Sequence, residues 1–329
     1  MQAAGAFAPF RFANRRKALI VTYHRFSTRR AFGRTEADDF AQQLDYLTRR
    51  YKVIKLSALA DLMSRGSTLP PGLAAITIDD GYADAYEIAF PILKQKRVPA
   101  SLFAVTGFID RTCWLWPDKV RYATSSSRLQ VAETEVNGQM LRFTFSDPND
   151  RRAAAERINA ALKLMPEDEK HNAIARVARD FGAEAPDEPP AAFGPLTWNQ
   201  LREMDAAGVE IGSHTVTHPI LNRVTNRQLE CELSDSRERL ESELDRKVDL
   251  FCYPNGDSSP EIERKVAEAG YRAAVTTRAS LNRAGENMLA LARIPGDGDL
   301  GHLAQATSGF EEIKNRVLGT RGFRALYGH

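Results

Sequence analysis

The chain has 329 residues, 43% hydrophobic and 27% charged, enough to bury a substantial core as one large α/β domain or two smaller ones. Its 45 basic and 43 acidic side chains leave a net charge of +2, too small a field to gather a polyanion, so nucleic acid is not an expected partner. Three widely spaced cysteines, Cys113, Cys231 and Cys252, argue against a disulfide framework and suit a reducing compartment.

Residues 1–17 read as an N-terminal extension without the continuous apolar core of a signal peptide. No stretch approaches the ~20 apolar residues that a membrane-spanning helix needs, so a cytoplasmic protein without such a segment is expected. Short apolar runs then recur at 18–21, 53–56, 74–78, 101–105, 209–211, 250–253, 273–276 and 289–294, each followed by a turn and a helix-like segment. That alternation implies a parallel sheet with crossover helices. Thr35 is placed to cap a helix carrying Phe40, Leu44 and Leu47, with Asp38 completing a capping box. Thr197 can cap another that Gly208 closes, Leu229, Leu233, Leu240 and Leu244 mark a third, and Pro260 with Gly270 brackets a fourth.

About eight strands in βα order fit a (β/α) barrel or an open doubly wound sheet, and the absence of a phosphate-cradling G-x-G-x-x-G weakens the second. The stretch 114–195 breaks the rhythm. It is rich in Arg, Ala, Asp and Glu, has helix-like pieces near 151–165 and 169–181, and reads as a helical insertion after the fourth strand, either a solvated excursion or a wall for the cleft. The expected barrel covers 18–295, and 296–329 reads as a C-terminal helical tail.

Two segments carry the chemistry. Asp79 and Asp80 follow the strand-like run 74–78, where alternation points adjacent side chains to different sides and Gly81 permits a tight turn. His214 and His218 stand four apart after the run 209–211, a spacing from which two imidazoles can converge on one ion. Together they offer two carboxylates and two imidazoles, a donor set for a hard or borderline divalent metal in a one-metal hydrolase site. The zinc-protease pattern H-E-x-x-H fails, because Thr215 occupies the Glu position.

These segments resemble the polysaccharide deacetylases, the NodB-homology group also called carbohydrate esterase family 4. Thr77-Ile78-Asp79-Asp80-Gly81 is similar to that family's T-F-D-D-G, and His214-Thr215-Val216-Thr217-His218-Pro219 to its H-[ST]-x-x-H-P. The resemblance covers roughly 18–110 and 196–295 and implies a distorted (β/α) barrel. It implies that Asp80, His214 and His218 bind a divalent metal, usually zinc, and that Asp79 is the catalytic base.

The family's R-x-P-[YF] segment departs here: Phe251-Cys252-Tyr253-Pro254-Asn255-Gly256 keeps the proline but has Cys252 in place of arginine and Asn255 in place of the aromatic. The Asn255 N–H survives as an oxyanion donor, and Arg293, expected at the end of the run 289–294, could replace the lost guanidinium by a bidentate contact to Asp79. For the general acid, Leu300-Gly301-His302 resembles the family's late L-x-H, and His24, at the end of the first strand, resembles the Tyr-His segment of the permuted poly-N-acetylglucosamine deacetylases. His24 is preferred. By pattern, His24, Asp79, Asp80, His214, Asn255 and Arg293 all fall at strand carboxyl ends, where barrel enzymes keep their catalytic groups.

The expected reaction is metal-dependent removal of an N-acetyl group from an amino-sugar glycan or glycan precursor, with Tyr82 and Tyr253 as candidate sugar-binding surfaces. Two other readings share these residues: a metal-dependent amidase for a non-sugar acyl amide, and a non-catalytic glycan-binding protein, which the missing motif arginine favours.

Overall fold

The structure, a computed structural model, describes residues 7–314 except 67, 185 and 312. Residues 1–6 of the expected extension and 315–329 of the expected tail therefore lie outside the described residues. The strands in chain order are β1 (Leu19–Tyr23), β2 (Phe26–Ser27), β3 (Thr35–Glu36), β4 (Lys52–Val53), β5 (Leu73–Ile78), β6 (Ser101–Ala104), β7 (Val131–Val136), β8 (Gln139–Thr144), β9 (Glu210–Ser213), β10 (Leu250–Cys252), β11 (Ala273–Val275) and β12 (Ile294–Pro295).

Eight strands form one parallel sheet, ordered β11-β10-β9-β6-β5-β1-β12 with β4 also paired to β5. The sheet curls until its ends meet: Ile294 pairs with Val21 of β1, and three residues earlier Leu291 bridges Val275 of β11. The barrel is distorted because β5 shares one edge between two neighbours. Its Leu73 and Ala74 pair with β4, whereas Thr77 and Ile78 pair with β6.

Strands buried on both faces read as near-continuous apolar runs, and the period of two decides what each face meets. Ile20 of β1, Ala75 of β5, Phe103 of β6, Leu250 and Cys252 of β10 and Val275 of β11 join one cluster inside the barrel, closed below by Leu56, Leu59 and Met63 of the Leu56–Ser64 helix. The alternate residues Leu19, Val21, Ile76, Ile78, Leu102 and Ile211 pack outward on Phe40 and Leu44 of the Ala37–Arg50 helix, Leu93 and Leu201. Burying each such Leu, Ile or Phe contributes roughly 1.5–3 kcal/mol. Gly212 has no substitute here, since a Cβ would lie 2.6 Å from the Phe103 ring.

Three local expectations need correction. Thr35 lies in β3, its N–H bonded to the Arg25 carbonyl, one residue too early to cap; the Ala37–Arg50 helix starts from Glu36 with no side-chain cap. The run 53–56 yields only β4, and Leu56 opens a helix. The run 289–294 yields β12 alone, so Arg293 precedes a strand instead of ending one.

Two helices of the 114–195 stretch, Pro148–Leu162 and Glu167–Asp180, answer the helix-like pieces, and Trp116–Ser126 precedes them. The antiparallel β7–β8 hairpin between was not expected. These elements enclose their own core, which includes Trp116, Val120, Ile158, Leu162, Val177 and Phe181. The Trp198–Ala206 helix has the Thr197–Gln200 capping box, and Gly208 (φ 95°) follows it. In the Asn226–Leu244 helix Leu229, Leu233 and Leu240 are buried and Leu244 is half-buried. Among the described residues no helix is long and apolar enough to cross a membrane.

Candidate functional site

The interior parity of the strands, carried one step beyond their ends, delivers His24 after β1, Asp79 after β5 and His214 after β9, with Cys252 ending β10. Asp79 still donates its N–H to the Tyr23 carbonyl (2.9 Å), so it keeps the inward direction of Ala75 and Thr77. Asp80 then adopts φ 74° and Gly81 φ 87°, turning the chain; aspartate tolerates the left-handed region better than most residues. Thr215 (φ 72°), His218 (φ 59°) and Asn255 (φ 56°) share that region, and a β-branched threonine there is held only by its surroundings.

Those surroundings are specific. The Thr215 carbonyl accepts from Thr106 N–H (3.1 Å), the Val216 carbonyl from Gly107 N–H (2.9 Å), and the Thr215 hydroxyl from His218 N–H (3.0 Å). Glu232, on the Asn226–Leu244 helix, accepts from the N–H groups of Val216 (2.7 Å) and Thr217 (2.9 Å). The His214–His218 interval is thus a pinned turn, not a helical one. Glu232 belongs to no motif and was missed; its one sequence signal is its place beside Leu229, Leu233 and Ser236 on the buried face of that helix.

Asp80, His214 and His218 converge. Asp80 Oδ1 lies 3.4 Å from His214 Nε2 and 3.6 Å from His218 Nε2, with all three residues buried. His214 Nδ1 is 2.7 Å from the Cys252 carbonyl, which can only accept, so Nδ1 carries a proton and Nε2 faces the Asp80 carboxylate; burial lowers the ring's pKa, but Cys252 and Asp80 outweigh it and hold it well above the ordinary imidazole range. His218, pushed down to about 3 by burial and by neighbouring His214, offers a lone pair at neutral pH. Two imidazole Nε2 atoms converging on one oxygen of a buried carboxylate are the donor set of a divalent metal, so the residues fit such an ion. Asp79, His214 and Cys252 form a second group of comparable closeness.

Asp79 is gripped from the other side. Arg293 Nη1 donates to Asp79 Oδ1 and Nη2 lies on Oδ2, both at 2.7 Å, with each residue 1% exposed. The guanidinium is itself fixed by the Thr276 carbonyl (2.9 Å) and the Thr77 hydroxyl (3.1 Å), and Nη2 lies 3.3 Å from Cys252 Sγ. Burial alone would raise the Asp79 pKa; Arg293 and then His24 outweigh it and hold the carboxyl below its ordinary range. Burial pushes the Cys252 thiol up, so it stays neutral and donates to Asp79 Oδ2 at 3.4 Å.

A cleft of about 1590 Å³ opens above these groups. His24 lines it, one-quarter exposed (23%), with Nε2 3.6 Å from Asp79 Oδ2. Half-buried Asp297, ahead of the Leu300–Ala306 helix in a stretch expected to be helical, interacts electrostatically with His24. His302 sits in the Leu300–Ala306 helix and is not part of the cleft lining. Asn255 lines the cleft with a buried, unpartnered side-chain Nδ2. Tyr82 and Tyr253 also line it, but both are buried, their hydroxyls are engaged by Asp118 (2.5 Å) and the Leu289 carbonyl (2.8 Å), and the Arg25 guanidinium lies 3.7 Å over the Tyr82 ring. The 114–195 stretch forms the opposite wall through Asp118, Arg121, Arg151, Asn159 and Lys163.

Comparison with known proteins agrees with this geometry. A family profile described as polysaccharide deacetylase matches residues 66–274. A Bacillus subtilis (strain 168) protein named as a polysaccharide deacetylase, YxkH, is 31% identical over 99 residues, which is 30% of this chain and 36% of that protein. The chain thus spans little more than a third of the curated relative it matches. Among solved structures, the Streptococcus pyogenes deacetylase PplD in complex with acetate superposes with TM-score 0.59 at 19% identity, covering 88% of this chain and 98% of that one. IcaB from Ammonifex degensii gives TM-score 0.59 at 19% identity over 89% and 97%. At these identities the two structures share the fold.

Proposed function

The chain belongs to the polysaccharide deacetylase family, and we propose that it hydrolyses the N-acetyl group of an amino sugar in a glycan or glycan precursor. The observation that carries this reading is the convergence of Asp80, His214 and His218 in a buried pocket with the Arg293-held carboxylate of Asp79 beside it. In this reading Asp80, His214 and His218 hold a divalent cation, expected to be zinc. When bound, that ion supplies Lewis acidity, acidifying water and polarising the acetamide carbonyl.

The protein's own groups do the rest. Asp79 takes the proton of the attacking water, and the two-point contact from Arg293 keeps it ionised and fixed in direction. The Asn255 N–H donates to the oxyanion as the carbonyl carbon becomes tetrahedral. His24 passes a proton to the leaving amine, with Asp297 near it. Acetate and a free amino sugar result. Tyr82 and Tyr253, buried and with engaged hydroxyls, support the floor of the cleft in this reading and do not stack on the sugar. The feature that favoured a non-catalytic protein, Cys252 in place of an arginine, loses its force because Arg293 reaches Asp79 from the residue just before β12.

Acetate release from N-acetylglucosamine oligomers by the zinc-loaded protein tests the reading. Asp79→Asn should retain the metal and lose turnover by at least about 10³-fold. Turnover of Asp79→Asn at the wild-type rate would remove the base and with it this mechanism.

A further inference from the structure

The wall of the cleft opposite the barrel has a charge pattern that an uncharged glycan does not use. The Trp116–Ser126 and Pro148–Leu162 helices pack side by side and turn Arg121, Arg151, Asn159 and Lys163 into the cleft. Arg121 leans on Asp118 (3.0 Å), but that buried carboxylate also takes the Tyr82 hydroxyl. Lys163, half-buried, has Asp257 as its acidic neighbour and Arg121 and Lys170 as cationic ones; burial first and those cations next lower its pKa.

Arg151 is the most telling. Its guanidinium lies over the Phe145 ring, 4.5 Å from the centroid, and Nη2 donates to the Leu129 carbonyl (3.1 Å). Its Nη1 is buried without a partner. Among the described residues no carboxylate pairs with it. A guanidinium pre-oriented by an aromatic face, with one nitrogen unspent and further cations lining the same cavity, suits a group that accepts several charge-assisted hydrogen bonds at once. Asn159 Oδ1, also buried and unpartnered, offers an acceptor that a sugar hydroxyl could satisfy. The cleft is larger than the roughly 300–1,000 Å³ of ordinary small-molecule sites, leaving room for more than one sugar ring.

We propose that Arg121, Arg151 and Lys163 form a phosphate-recognition wall, so that the substrate is an N-acetylated amino sugar joined to a phosphate or diphosphate. This rests on the deacetylase reading above and adds the substrate class. It also places the enzyme after a reaction that attaches the acetylated sugar to phosphate and before one that consumes the free amine.

The test compares kcat/KM for acetate release from a neutral N-acetylglucosamine oligomer, N-acetylglucosamine 1-phosphate, a nucleoside-diphosphate N-acetylglucosamine and a polyprenyl-diphosphate-linked N-acetylglucosamine in detergent. At least one phosphorylated substrate should exceed the neutral oligomer tenfold, and the preferred one identifies the source of the phosphate. In Arg151→Gln and in Lys163→Gln that preference should fall at least fivefold, through KM. A wild-type ratio near one, a ratio unchanged in both variants, or an equal preference for an acetylated oligomer carrying uronate carboxylates would overturn the proposal while leaving the deacetylase reading intact. Calorimetric titration of inorganic pyrophosphate into wild-type and Arg151→Gln protein supplies an arm independent of turnover. Affinity should weaken at least tenfold in the variant, and equal affinity or no binding to the wild type would overturn the wall even if no substrate released acetate.

Discussion

The inside of the barrel and the 114–195 stretch are built on opposite terms. In the barrel Arg293 spends its nitrogens on Asp79, Thr77, Thr276 and Cys252, and the turn from His214 to His218 is pinned by Gly107, Thr106 and Glu232. The other region has an apolar core of its own around Ile158, Val177 and Phe181, and faces the cleft with cations that its own acids do not fully answer. A guanidinium and carboxylate held at several points fix one geometry, whereas a guanidinium with a spare donor is ready for a ligand. On the proposed reading, chemistry falls to the barrel and substrate choice to the 114–195 stretch.

The sharpest way to break this contrast is to remove a ligand from the barrel. His214→Ala should lose the metal and at least about 10³-fold in acetate release while the fold, followed by circular dichroism, persists; retention of metal would show that the three-residue group is not the site. Next is Arg293→Met, which leaves the Asp79 carboxylate buried and unpaired, at a cost of about 3–5 kcal/mol in denaturant unfolding and about 10²-fold in kcat. Adding Cys252→Arg to that variant should recover part of the turnover, because position 252 already lies beside Asp79. If Arg293→Met alone unfolded and worked like the wild type, the barrel network would not be the tightly coupled unit described.

The contrast also bears on what was legible beforehand. Strands β1 and β5 and the two metal-binding segments could be read because period-two burial and chemistry agree there: Thr77 and Asp79, or Thr22 and His24, continue the interior face of their strands. Arg293 was named as a partner of Asp79, but not where it lies. The closing segment reads as one apolar run over 289–294, but it bridges β11 at Leu291 and pairs with β1 only at Ile294 and Pro295, which leaves Arg293 between the two. Glu232 and Asp297 act through the backbone and through a neighbouring ring, and neither leaves a spacing to recognise. The hairpin was legible and overlooked: Asn137-Gly138, with φ 53° and 72°, sits between two alternating runs and is a strong short-range hairpin signal.

Smaller effects belong to the other unit. Phe181→Ala should cost about 3–5 kcal/mol and raise KM while metal content stays unchanged, which would set the insertion apart as the substrate wall; a fall in metal content would tie the two regions together. Gly138→Ala, at a left-handed turn position with open space around it, should cost about 1 kcal/mol and leave kcat unaltered. Thermal melts and steady-state kinetics on the same samples check both.

X-ray absorption of the zinc-loaded protein most directly separates the two groups of donors that meet around His214. The account predicts two imidazole nitrogens at roughly 2.0–2.1 Å, oxygen ligands at roughly 2.0–2.2 Å and no sulfur scattering. A zinc–sulfur shell near 2.3 Å would place the ion among Asp79, His214 and Cys252, and would contradict both the ligand set and the assignment of Asp79 as the base.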